Sequence, residues 1–156
     1  MISLSLMAMM LSATALNTQE AEVLQPAAVS SGQNWNVVSR SSSTVYMLDI
    51  NSQSQVGGEI SVNLARVPAS GGAADKTHSV TIVVLRCSDE HSKSATEIYY
   101  AANGSEEERI DNDYEFEPII RNSLDDYVKS IVCDGDRSAT TFNSVDAFIS
   151  AGRPSR

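Results

Sequence analysis

The stretch Thr77–Cys87, THSVTIVVLRC, constrains the fold more than any other part of the chain. It is the densest β-branched run in the sequence, and its length and polar borders suit a strand better than a helix. Val80, Ile82 and Val84 fall on one face, and Val83, Leu85 and Cys87 on the other. Apolar residues on both faces predict a central strand covered on both sides. The run ends in one of only two cysteines, and the second, Cys133, closes a short helical pattern.

The 156 residues suit one domain of ordinary size, and 42% hydrophobic with 20% charged residues is ordinary for a globular protein. A formal net charge of −9 argues against nucleic acid and anionic membranes as partners, because both require a basic surface. The first fifteen residues, MISLSLMAMMLSATA, carry no charged side chain. They are too short to span a bilayer, and Ala13 and Ala15 supply an A-x-A site, so residues 1–15 read as a signal peptide without the usual basic residue ahead of the apolar core. No other segment is apolar enough to cross a membrane. Two cysteines in an exported chain point to one disulfide, Cys87–Cys133, enclosing roughly 45 residues. The competing readings are two free thiols or a metal site, and two cysteines with two distant histidines make a poor zinc set.

Residues 16–33 are rich in Gln, Ala and Ser and read as a flexible lead-in. Trp35–Val38 and Thr44–Asp49 read as a hairpin across the turn Ser39–Ser43. The polar stretch Asn51–Gly58 reads as a turn region, and Glu59–Val67 alternates as a half-buried strand. Ser94–Ala101 is the next strand, followed by the turn at Asn103-Gly104. The acidic run Glu106–Asp113 reads as a solvated loop or strand edge. Around Pro118, residues Tyr114, Phe116, Ile119 and Ile120 suggest extended chain packed on the core. Ser123 is a candidate N-cap, with Asp125 and Asp126 in the first turn of a helix whose stripe is Leu124, Tyr127, Val128 and Ile131. Residues 134–156 are mostly polar. A brief helix through Val145, Phe148 and Ile149 has no second stripe to pack on, so a mostly disordered tail is expected.

No motif for catalysis or phosphate binding is present: no G-x-S-x-G, Walker loop, G-x-G-x-x-G or H-E-x-x-H. His78 and His91 sit among polar turn residues and read as surface histidines. Asp111-Asn112-Asp113 begins like a calcium loop without its glycine. Paired carboxylates for hydrolysis meet in space and not in sequence, so the acidic run offers Asp111 and Asp113 with no motif behind them. Asn103-Gly104-Ser105 matches a glycosylation sequon.

The order of short motifs is similar to that of the surface-adhesin protein E family of small exported proteobacterial proteins. The residues that carry the resemblance are Trp35-x-Val37, Thr44-Val45-Tyr46-x-Leu48-Asp49, Leu85-Arg86-Cys87, Ile98-Tyr99-Tyr100, Phe116-Glu117-Pro118-Ile119 and Ser123–Cys133. It covers about residues 34–133. It implies an antiparallel sheet backed by a C-terminal helix, with the cysteines joining strand to helix. It also implies binding of host matrix and serum proteins, as the family's named adhesin does. Phe116 stands where the family tends to have a tryptophan.

The expectation is therefore an α+β domain over 34–133, with about five antiparallel strands and one helix stapled by Cys87–Cys133. Trp35, Tyr46, Leu48, Ile82, Val84, Ile98, Tyr127 and Ile131 are expected in or near its core. The expected function is that of a non-catalytic exported binding or envelope-accessory protein, periplasmic or extracellular and not lipid-anchored. It would have a protein partner, no cofactor or metal, no nucleic acid and no membrane insertion after signal removal, with dimerisation through a sheet edge open to it. The alternatives are a surface adhesin and a periplasmic hydrolase or enzyme inhibitor.

Overall fold

The computed structural model describes residues 32–155. The signal-peptide reading of residues 1–15 and most of the lead-in lie outside the described residues. Eight strands follow in sequence: β1 (Trp35–Arg40), β2 (Thr44–Val56), β3 (Glu59–Pro68), β4 (His78–Arg86), β5 (His91–Tyr100), β6 (Glu106–Asp111), β7 (Glu117–Pro118) and β8 (Thr141–Phe142). Helix α1 (Leu124–Val132) lies between β7 and β8, and α2 (Val145–Ser150) follows β8. The strands form one antiparallel sheet ordered β6-β5-β4-β3-β2-β1-β8, with β7 also paired to β5. β6 pairs with Thr96–Tyr100 and β7 with His91 and Ser92, so the two lie end to end along the side of β5 that β4 leaves free.

The expected count of about five strands is too low: β6 forms in the run read as a solvated loop or strand edge, β7 in the stretch read as extended chain, and β8 in the expected disordered tail. The acidic run 106–111 pairs with β5 despite its charge, because only its backbone is needed for the ladder. β2 likewise runs on through the polar stretch 51–56 to a turn at Gly57-Gly58, where both residues have the positive φ that a tight hairpin turn demands. The register slips between Asp49 and Ser54, and polar side chains hold the irregularity. Asp49 Oδ1 accepts from the backbone N–H of Asn34 at 2.9 Å and of Asn51 at 3.1 Å. Ser52 Oγ donates to the Asp49 carbonyl and accepts from the Asn63 N–H. The two N–H groups that reach Oδ1 offset the burial of the Asp49 carboxylate.

Adjacent residues of the central strands point into two different cores. Met47, Ala65, Val67, Val80 and Trp35 pack with Phe148 and Ile149 of α2. Leu48, Val62, Leu64, Val83 and Leu85 pack with Val128 and Ile131 of α1. Neighbours such as Met47 and Leu48 belong to opposite faces of a pleated sheet, so the two helices cover opposite sides. The expected disordered tail is corrected here: residues 141–142 extend the sheet, and Phe148 and Ile149 are fully buried. The stripe does have a surface to pack on, one assembled from four strands. Ser144 caps α2 by accepting from the Ala147 N–H at 2.9 Å. Asn36, itself buried, accepts from the Ser138 N–H and ties the returning chain to β1.

Three core expectations are also corrected. Ile82 and Val84 are half-buried, since they share the face of Val80 but lie beyond the reach of the six-residue α2. Tyr127 is 46% exposed, because it lies roughly 70° around the helix from the centre of the Val128–Ile131 stripe. Trp35, Leu48, Ile98 and Ile131 are buried, and Tyr46 packs against the α1 core. Among the described residues, no helix is long and apolar enough to cross a membrane.

Candidate binding surface

The end of β5 nearest α1 is framed by three constraints. The disulfide Cys87–Cys133, with Cα atoms 5.8 Å apart, joins the chain just past β4 to the C-cap of α1. At the other end of the helix, Ser123 Oγ accepts from the Asp126 N–H at 3.2 Å, and Asp126 Oδ2 accepts from the Asn122 N–H at 2.8 Å. The two acidic residues of the first turn complement the helix dipole. The third constraint is Phe116, whose ring centroid lies 4.2 Å from the Arg86 guanidinium carbon and 4.7 Å from Lys93 Nζ. These cation–π contacts hold the segment leading into β7 against the sheet.

Between this segment, β5 and the first turn of α1 lies an open cleft of about 560 Å³. Ser92 Oγ donates to Asp125 Oδ2 across it at 2.5 Å, tying strand to helix. Lys93, Glu115 and Glu117 supply charge at its walls, and Tyr114 and Ile120 supply apolar surface. Tyr114 is 60% and Ile120 is 69% exposed. The sequence reading expects both on the core. Only Phe116 and Ile119 are drawn in: Phe116 is held under the cations of Arg86 and Lys93, and the consecutive Ile119 and Ile120 side chains diverge. The available signal was the charge interleaved with them, at Asp113, Glu115, Glu117 and Arg121.

The other candidate residues stay apart. His78 opens β4 and His91 opens β5, at opposite ends of the same hairpin. Eight residue steps of strand separate them, about 27 Å. His78 stacks on Tyr100 with centroids 4.4 Å apart, and its Nδ1 lies 2.6 Å from the Lys76 carbonyl oxygen. A carbonyl only accepts, so Nδ1 carries the proton. Burial holds the His78 pKa below its usual value, partly countered by the bond to Lys76 and by Asp146. His91 Nδ1 faces the Asp89 carbonyl at 2.7 Å.

Asp111 lies exposed on β6, accepting from Thr96 Oγ1 at 2.9 Å, and Asp113 is exposed just beyond it. Asn103 of the sequon is exposed in a tight turn, its Oδ1 accepting from the N–H and Oγ–H of Ser105. Among the described residues, no three His, Cys, Asp or Glu side chains converge to hold a metal ion. Compared with known proteins, the chain matches no family model, no curated protein and no solved structure.

Proposed function

We propose that this protein is a non-catalytic, exported binding or envelope-accessory protein resembling surface-adhesin protein E, and that it engages a protein partner through the cleft beside α1. The observation that carries the reading is the presentation of Tyr114 and Ile120 to solvent on a segment fixed by Phe116 and by a disulfide-anchored helix. A rigid aromatic and an aliphatic anchor ringed by charge is the composition of a protein-binding hot spot. The disulfide suits an oxidising compartment, in keeping with export. Support for the resemblance is architectural: an antiparallel sheet, a helix after Ser123, and cysteines that join strand to helix are what it implies. β8 and α2 lie beyond the part of the chain it covers.

A hydrolase has less support, because the two conventional bases lie at opposite ends of a hairpin and Asp111 sits exposed on an edge strand. Nor does the sheet favour a homodimer paired through an edge. One edge is closed by the C-terminal segment, and the other would bring carboxylates against carboxylates.

The test compares the unaltered protein with a Tyr114→Ser/Ile120→Ser variant for retention of matrix proteins, serum proteins and periplasmic extract. Retention at least tenfold weaker for the variant supports the cleft. Equal retention by both, or turnover of an ester or glycan substrate that is lost in Asp111→Asn, sinks the reading. Protease shaving of intact cells beside released periplasm then separates a surface adhesin from a periplasmic accessory protein.

A further inference from the structure

The two edges of the sheet are treated differently. On the β1 side, the C-terminal segment returns to cover the edge: Thr141 and Phe142 pair with Asn36 and Trp35, and the Val37 N–H donates to the Thr140 carbonyl. Further along, Arg40 Nη2 donates to the carbonyls of Arg153 and Pro154 at 2.8 Å each. On the far side, among the described residues, β6 pairs only inward with β5, and all six of its residues are exposed. In an antiparallel strand, alternate residues aim N–H and C=O away from the partner, so this edge offers an unmet row of donors and acceptors.

Side chains determine what can use that row. Four carboxylates, Glu106, Glu107, Glu108 and Asp111, stand on the strand against one cation, Arg109. Glu106 occupies that cation through two bonds of 3.0 Å, to Nε and Nη2. Each partner reinforces the charge of the other: the paired guanidinium holds the Glu106 carboxyl below its ordinary pKa, through hydrogen bonding first. Among the described residues, no cation is bonded to Glu107, Glu108 or Asp111. A second copy of β6 laid antiparallel in full overlap would set Glu106 against Asp111 at both ends and bring together two strands that each carry four carboxylates against one cation, which is destabilising, whereas a basic strand would meet opposite charges. Register adds an apolar element. Ile110 pairs with Glu97 and Tyr99 with Glu108, so Ile110 and Tyr99 are diagonal neighbours on one face beside the edge. They are 39% and 37% exposed.

We propose that the outer edge of β6 accepts, by strand addition, an extended lysine- or arginine-rich segment of a partner protein that carries an apolar residue opposite Ile110. Backbone bonds supply the pairing, the carboxylates select a basic partner, and the Ile110–Tyr99 surface sets the register. The site is separate from the cleft beside α1 and stands without that reading.

The probe is a synthetic peptide alternating lysine with valine over seven residues, titrated by fluorescence anisotropy at low salt. Its control keeps every lysine and replaces the valines with proline, which preserves charge and blocks pairing. The expected results are binding of the lysine–valine peptide, at least tenfold weaker binding of the proline control, and new amide protection confined to 106–111. Glu107→Lys/Glu108→Lys should lose the basic peptide and gain one alternating glutamate with valine. Tyr114→Ser/Ile120→Ser should bind the basic peptide as the unaltered protein does. Equal affinity for the proline control, protection elsewhere, or no binding at low salt would overturn the proposal.

Discussion

Arg153 shows how much one side chain near the C-terminus can organise. It is 4% exposed, and its Nη atoms donate to the carbonyls of Gly71, Gly72 and Asp75. Gly71, at φ +138°, leaves room for the guanidinium; a Cβ there would lie 3.2 Å from Nη2. Arg153→Ala should cost about 2–3 kcal/mol in urea unfolding, since buried hydrogen bonds to a charged group are the strong kind. Arg153→Lys should not restore it, because a single ammonium lacks the fork that spans three carbonyls. His78 leads to a pH prediction. Burial depresses its folded pKa below the ordinary 6.5, so acid protonates the unfolded chain first. This contribution is constant above pH 6.5, falls as pH drops through 6.5, and levels off below the folded value. Stability curves at pH 8 and pH 5 should diverge less for His78→Phe than for the unaltered protein, and equal divergence would mean that other groups carry the acid sensitivity.

At the scale of elements, α2 contributes more than its six residues suggest. Phe148 is fully buried among side chains from β1 to β4, and its ring meets Phe142 edge-on at 5.1 Å. Phe148→Ala should therefore destabilise the fold by about 3–5 kcal/mol in chemical denaturation. A loss below about 1 kcal/mol would mean that the C-terminal segment is dispensable. The helix itself was legible in the spacing of Val145, Phe148 and Ile149. Its partner surface was not, because Trp35, Met47, Ala65, Val67 and Val80 become one surface only when the sheet assembles. β4 was legible for the opposite reason: its two apolar faces announce a central strand whatever packs on them. β6 was legible only as one of two readings, a solvated loop or a strand edge, because edge pairing needs no apolar side chain to mark it. The cleft escaped because Tyr114 and Ile120 look like core residues until the chain direction is known. Cys87 and Cys133 were readable by count alone. Separated by 46 residues, they should contribute about 4 kcal/mol in the chain-entropy account. A Cys87→Ala/Cys133→Ala variant, compared with the unaltered protein by denaturation without reductant, measures that loss.

The whole molecule is a sheet whose protection declines from its middle to one side. β3 is paired on both edges, and helices cover its two faces, with Val62 and Leu64 under α1 and Ala65 and Val67 under α2. Its amides can reach water only when the sheet as a whole opens. Among the described residues β6 has one partner, no buried residue and a row of like charges, which leaves its outward N–H groups to water. Hydrogen exchange should accordingly show 62–67 exchanging last, with the free energy of global unfolding, and alternate amides of 106–111 exchanging first. The same acidic edge, on a chain of net charge −9, should keep the protein monomeric in sedimentation at low salt, where repulsion between copies is strongest. If the outward amides of β6 proved as protected as those of β3, that edge would have to be covered by another strand. A dimer appearing only at high salt would then identify the strand as a second copy, freed to pair once its carboxylates are screened.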